Sequence, residues 1–273
     1  MRKAEIVGVP PVLPFESMAS WISRLALSQG TQLGSLGRHF HMNFRGDIDL
    51  RPMNTKFKAM FIACGIVPDA FGIPFRLFGN LRQIMPRGGS FVACVGGLPR
   101  YRFCPLCLRE QTTPYFPVHW RFVCWRWCPL HCCLMEDRCP HCASPLTLPV
   151  DMLKAGPQRE GVGYLSHCPR CASQLSRIAP ARTGKSAPIA DWERMVLKNG
   201  RASLAALYAG HLRFEGSDQL HPLRALRDIE RRGLLTHRFE WLSASSVRAR
   251  VAQRKLARLK LGDSSARGQF APR

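Results

Sequence analysis

The stretch CPLCLREQTTPYFPVHWRFVCWRWCPLHCCLMEDRCPHC, Cys104 to Cys142, holds eight of the chain's twelve cysteines. It contains three short knuckles: Cys104-Pro-Leu-Cys107, Cys128-Pro-Leu-His131 and Cys139-Pro-His-Cys142. A fourth, Cys168-Pro-Arg-Cys171, follows downstream. Proline presets φ at about −65°, the value the second residue of a tight turn needs. Two residues between ligands let both side chains converge on one ion. Four knuckles supply eight ligands, enough for two closed tetrahedral sites for structural zinc, Zn2+.

Sequential pairing puts Cys104, Cys107, Cys128 and His131 on one ion and Cys139, Cys142, Cys168 and Cys171 on the other. The gaps of 20 and 25 residues both suit a zinc ribbon. A cross-braced pairing, first knuckle with third, is the alternative. Sequential pairing is preferred because the aromatic, β-rich PVHWRFVCWRW in the first gap can supply a hairpin. Cys132 and Cys133 follow His131 directly, and either could replace it as the fourth ligand. His141 and His167 read as bystanders, and Cys64, Cys94 and Cys124 as small buried hydrophobes.

Other cysteine chemistry fits less well. A redox Cys-x-x-Cys would be single and would adjoin a βαβ unit, whereas this one recurs. Disulfides need an oxidising compartment. The N-terminus MRKAEIVGVPPVLPFESMAS lacks an apolar core of signal-peptide length and reads as an untargeted cytoplasmic start. No apolar run approaches the roughly 20 residues that span a bilayer, so no membrane partner is expected. A catalytic zinc keeps an open coordination position, but both sites here are complete in protein ligands. Neither His-Glu-x-x-His nor a zinc-deaminase signature occurs. The metal therefore reads as a brace, and the protein as no enzyme.

The 273 residues carry a net charge of +22. Residues 1–98 contribute +6, residues 99–175 +4 and residues 176–273 +12. Such an excess repels itself in a compact chain, and a polyanion relieves it. Nucleic acid, here double-stranded DNA, is the first such partner, and an acidic membrane surface the second.

Helical periodicity flanks the cysteines. In residues 16–29, Met18, Trp21, Ile22 and Leu25 share one face, Ser20, Ser23 and Arg24 take the other, and Gly30 stops the helix. TQLGSLGRHF follows as a second helix, giving a helix-turn-helix-like pair. Residues 55–64 read as another helix ended by Gly65, while 72–102 are rich in Gly and Pro and give little pattern. Residues 172–190 read as a basic linker. Helical pattern resumes at Asp191. Pro222 is placed at the first position of a helix through Arg232, with Arg224, Arg227 and Arg231 along one side. The last element, residues 243–261, is expected to be capped by Ser245 or Ser246. Its Arg250, Arg254 and Arg258 form one line, with Arg248 and Lys255 nearby, as a DNA-contacting helix would have.

Two blocks together carry a resemblance. PFESMASWISRLA, with Pro14, Glu16, Ser17, Ser20, Trp21, Arg24 and Leu25, is similar to the N-terminal block of the TniQ/TnsD family of transposition proteins. Arg102, the first knuckle, Trp120, the second knuckle, Leu134 and the third knuckle then match that family's zinc region in order. The resemblance covers roughly residues 10–175. It implies a non-catalytic target-selection adaptor with a helical, helix-turn-helix-like domain carrying tandem CCCH and CCCC fingers. Such adaptors link a target, either a DNA site or a CRISPR effector complex, to an AAA+ ATPase regulator, and through it to a DDE transposase. A homodimer is admitted; beyond residue 175 no family motif is recognised.

The expected fold is therefore mostly α with small β zinc ribbons. Its segments are a helical part (1–98), a tandem zinc-finger module (99–175), a linker (176–190), a basic helical C-terminal region (191–262) and a disordered tail (263–273).

Overall fold

A computed structural model describes residues 6–151, 165–182, 191–233, 235, 243–249 and 251–253. The fold is mixed: helices interspersed with small antiparallel sheets. Helices α1 (Met18–Ser28), α2 (Leu33–His39), α3 (Thr55–Ala63) and α4 (Gly72–Ile84) come first. Strands β1 (Cys94–Val95) and β2 (Leu98–Tyr101) lead into α5 (Pro105–Glu110), β3 (Trp127–Cys128), β4 (Cys133–Leu134), β5 (Leu146–Thr147) and β6 (Ala181–Arg182). Then follow α6 (Asp191–Ala209), the hairpin β7 (His211–Arg213) and β8 (Leu220–Pro222), and α7 (Arg224–Arg231). The sheets run β1-β2-β5, β3-β4-β6 and β7-β8, every pairing antiparallel.

Helix α1 organises the first half. Ser17 caps it, its hydroxyl accepting the Ser20 N–H at 3.1 Å, and Gly30 past the last turn has φ +56°. Trp21, Ile22 and Leu25 are wholly buried, each burial contributing about 1.5–3 kcal/mol. Trp21 sits edge-on to Phe71 at 5.5 Å, and Phe71 stacks on Phe61 of α3 at 5.3 Å.

The opposite face of α1 does not meet solvent: Ser20, Ser23 and Arg24 are buried as well. Their partners lie far along the chain. Ser20 Oγ accepts the Phe116 N–H at 2.9 Å, and Ser23 Oγ accepts the Val150 N–H at 3.0 Å. Arg24 donates to buried Glu16 at 2.6 Å and to the Pro11 carbonyl at 3.1 Å. The polar face of α1 is thus a docking face. A charge can sit in a core when its partner and its hydrogen bonds come with it.

One hydrophobic cluster joins Trp21, Phe61 and Leu36 to Tyr101, Phe103, Trp120 and the buried sulfurs of both cysteine groups. A second holds Phe78 and Leu81 of α4 against Phe122, Leu204 and Leu207. Helix α4 occupies much of the segment that gave little pattern; its Pro74 lies in the first turn, where a missing N–H costs nothing. Gly200 lets α6 lie against the chain, since a Cβ there would come within 2.2 Å of the Cys124 carbonyl oxygen.

Five further expectations change. PVHWRFVCWRW forms no hairpin of its own: residues Val118–Arg121 make a single 3-10 turn, Pro117 and Phe122 make isolated bridges to Glu16 and Val92, and Trp127 begins the short strand β3. Pro222 ends β8 instead of starting a helix, because it pairs with His211; α7 begins at Arg224. Cys94 is exposed at the β1 edge, unlike buried Cys64 and Cys124. Ser243, not Ser245 or Ser246, caps the helical segment at 244–249: its hydroxyl accepts the Ser246 N–H at 3.2 Å, while Ser246 Oγ accepts the Ser243 N–H at 3.0 Å. Part of the expected linker is ordered, with Ala181 and Arg182 adding β6 to β4.

Candidate metal centres

The first cluster gathers Cys104, Cys107, Cys128 and His131, with ligand atoms within 4.8 Å of one another. Cys104 is the N-cap of α5 and Pro105 its first residue, so one short helix aims both sulfurs of the first knuckle. The second knuckle is the turn between β3 and β4, whose pairing sets Cys128 opposite Cys133. Cys107 and Cys128 Sγ are 3.6 Å apart, and His131 Nδ1 lies 3.5, 3.3 and 3.5 Å from Cys104, Cys107 and Cys128.

The second cluster gathers Cys139, Cys142, Cys168 and Cys171, again within 4.8 Å. Cys139 and Cys171 Sγ are 3.7 Å apart, as are those of Cys142 and Cys168. With a Zn–S bond of about 2.3 Å, the edge of a ligand tetrahedron is about 3.8 Å. These separations match that edge and are far too long for a disulfide. All twelve cysteines are free. Both groups therefore have the donor set and spacing for a tetrahedral ion, with the pairing sequential, as expected.

The geometry resolves the fourth ligand of the first cluster. Cys132 adopts φ +47° directly after His131 and is exposed. Ala143 and Ala172 take φ +57° at the matching position of the third and fourth knuckles. These knuckles repeat a longer phrase, Cys-Pro-x-Cys-Ala-Ser, in which the N–H of the first cysteine donates to the carbonyl of the final Ser at 2.8 and 2.9 Å. Cys132 thus fills a turn position, not a ligand position. Cys133 is buried with its sulfur 3.6 Å from Cys104, but it is outside the mutually close group.

Glu110, at the end of α5, completes the first site. Its carboxylate lies 2.8 Å from His131 Nε2, the ring nitrogen facing away from the sulfurs. Such a partner fixes the imidazole tautomer and raises its basicity. Glu110→Ala is expected to weaken metal binding at the first cluster about tenfold or more while leaving the second unchanged. Competition with a chromogenic zinc chelator, read as two phases, checks this. The signal was present in sequence as a carboxylate three residues past Cys107, but nothing there fixed its direction.

The proposed DNA-contacting residues are placed unevenly. Arg224 and Arg231 are exposed and Arg227 half-buried along α7, whose Leu226 is buried. Arg248 instead clamps buried Glu136 of the cysteine region with both terminal nitrogens and donates to the Ala179 carbonyl at 2.7 Å. It ties the helical segment down; Ala244 and Val247 pack beside it on Leu134 and Ala181. Arg250, Arg254, Lys255 and Arg258 lie outside the described residues.

No protein-family model matches the chain, and no curated protein matches it either. Among the described residues, no helix is long and apolar enough to cross a membrane.

Proposed function

We propose that this chain is a non-catalytic adaptor of DNA transposition, of the TniQ/TnsD kind. In this reading two structural zinc ions brace a scaffold that binds double-stranded DNA and recruits an AAA+ ATPase regulator of a transposase. One observation carries the reading most: the two blocks of the resemblance are physically interlocked. Ser17, the N-cap of α1, accepts the Tyr101 hydroxyl at 2.7 Å, Ser20 accepts the Phe116 N–H at 2.9 Å, and Glu16 bridges to Pro117, all at the edge of or within the second block. This packing is what a single structural unit carrying both blocks requires.

Each cluster has four protein ligands and so no position for a substrate. The zinc supplies folding energy in this reading, and the surface supplies function. The excess of charge supports a polyanionic partner. The helix-turn-helix reading of α1 and α2 and the basic C-terminal helix belong to the same proposal. Arg38 at the end of α2, Arg45, and Lys56 and Lys58 of α3 are exposed, and the sequence has no acid between Glu16 and Asp47 to offset them.

Binding to labelled duplex DNA across a salt series, with and without an AAA+ transposition ATPase and ATP, tests this. Log affinity is expected to fall with log salt by about 0.9 per phosphate neutralised. Replacing Arg250, Arg254 and Arg258 together by Ala is expected to flatten the slope. An unchanged slope would remove that helix from the interface. Joining the ATPase–DNA complex upholds the adaptor; DNA binding with indifference to the ATPase marks a stand-alone zinc-ribbon DNA-binding regulator.

A further inference from the structure

We propose that a furrow between the first metal cluster and α6 is a docking site for an acidic peptide segment carrying bulky apolar side chains. Two cavities of about 540 Å3 each meet there and share Phe15, His119 and Trp125. One extends past Leu130 and Pro129 of the second knuckle, the other along Lys198, Arg201 and Tyr208 of α6. This site does not depend on the transposition reading.

Four observations define the occupant. First, large apolar side chains stand in solvent along one path: Phe15 is 51% exposed, Leu130 80% and Tyr208 43%. Second, Phe15 is held at φ +60°, a left-handed conformation that costs a bulky residue about 1–3 kcal/mol. Neighbouring structure enforces it: the Val118 N–H donates to the Phe15 carbonyl at 2.7 Å, and Glu16 bridges to Pro117. Strain that displays an aromatic ring to solvent has no use in folding. Third, Trp125 lines both cavities, and its indole nitrogen has no hydrogen-bond partner among the described residues. Fourth, Lys198 and Arg201 are exposed at one end, and neither pairs with a carboxylate among the described residues.

These features separate a peptide from a nucleic-acid strand. A strand needs cations along its whole backbone. Here the cations stand at one end, the far end has Glu110, and His119 between them is kept neutral by burial, its pKa lowered to about 4. A peptide meets the pattern with apolar anchors in the aromatic bed and carboxylates at α6.

The test uses the full chain and a panel of fluorescein-labelled peptides of about twelve residues, in which Asp and Glu flank Leu, Phe or Trp anchors three or four positions apart. Lysine-substituted versions and a labelled single-stranded oligonucleotide are the comparisons, read by anisotropy. At least one acidic peptide is expected to bind, its lysine counterpart to bind about tenfold more weakly, and Arg201→Glu to cost about tenfold. Phe15→Gly gives an independent check. Glycine accepts φ +60° without strain, so this variant is expected to keep or raise the melting temperature while losing about tenfold in peptide affinity. A clear loss of stability in Phe15→Gly would make the ring structural and overturn the proposal. So would tighter binding of the oligonucleotide than of every acidic peptide, equal binding of acidic and lysine peptides, or no peptide binding.

Discussion

Stripping the metal with a strong chelator is expected to abolish the cooperative unfolding of the whole N-terminal half, not only of the cysteine-rich segment. Structural zinc in small sites contributes about 10–16 kcal/mol of binding free energy at neutral pH. Entire domains are stable by only about 5–15 kcal/mol, so losing one ion outweighs the margin. The effect spreads because Cys104, Cys128, Cys139 and Cys168 belong to the same hydrophobic cluster as Trp21, Phe57 and Phe61. Without an ion nothing bonds the gathered sulfurs to one another, and the walls of that cluster lose what ties them. Elemental analysis should find two zinc ions per chain. Cys107→Ser and Cys142→Ser should each lose one of them together with the near-ultraviolet signal of the buried aromatics. A zinc-free protein that kept a sharp thermal transition would sink the brace argument.

Replacing Arg121 by Ala is expected to be the most damaging change that leaves both ligand sets intact. Its side chain is fully buried and ion-paired to Asp47 and, at 3.5 Å, to Asp49. Asp49 is itself buried, accepts the Ala19 N–H at 3.0 Å and is bonded by the Tyr101 hydroxyl, so it ties α1 to β2. Removing the guanidinium strands two carboxylates around a void, for which a loss of about 3–5 kcal/mol is expected. The defect should depend on pH with a definite sign. Burial, together with repulsion from Asp47, already raises the Asp49 pKa to about 6, with Arg121 opposing the rise. Without Arg121 it rises further above its unfolded value, so folding retains a proton that the unfolded chain releases. Stability then falls as pH climbs, and the variant should go on losing stability above about pH 6, where the parent no longer does. Adding Asp49→Asn should recover part of the loss. Calorimetry at constant zinc reads both effects, and a loss below about 1 kcal/mol would show that Arg121 is no keystone.

The sequence made the metal centres legible because ligand chemistry is local. Four Cys-Pro phrases fix the ligands, and their spacing favours sequential pairing. His131 could not be separated from Cys132 there, because the distinction rests on a left-handed turn that no residue type announces. The α1 period and its polar face were also readable, but not what that face meets. Serines and an arginine on one side of a helix look solvated until the distant Glu16, Phe116 and Val150 partners are in place. Helix α4 was hidden by its Gly and Pro content, and packing on Phe122 and α6 overrides that propensity. Arg248 looked like one cation among many, and only the buried carboxylate of Glu136 sets it apart.

The reach of the α1 contacts also governs how the protein can be made. Ser20 waits for Phe116, 96 residues later, and Ser23 waits for Val150, 127 residues later. Synthesis runs from the N-terminus, so α1 leaves the ribosome long before its polar partners exist. Until then Trp21 and Ile22 have only α2, α3 and Phe71 to pack on, and the polar face of α1 lacks its distant partners. The nascent first half thus keeps apolar and charged groups uncovered until late in synthesis, and the second ligand set is complete only once Cys171 is made. A gene truncated before codon 150 would yield a product fated for proteolysis rather than a smaller working module.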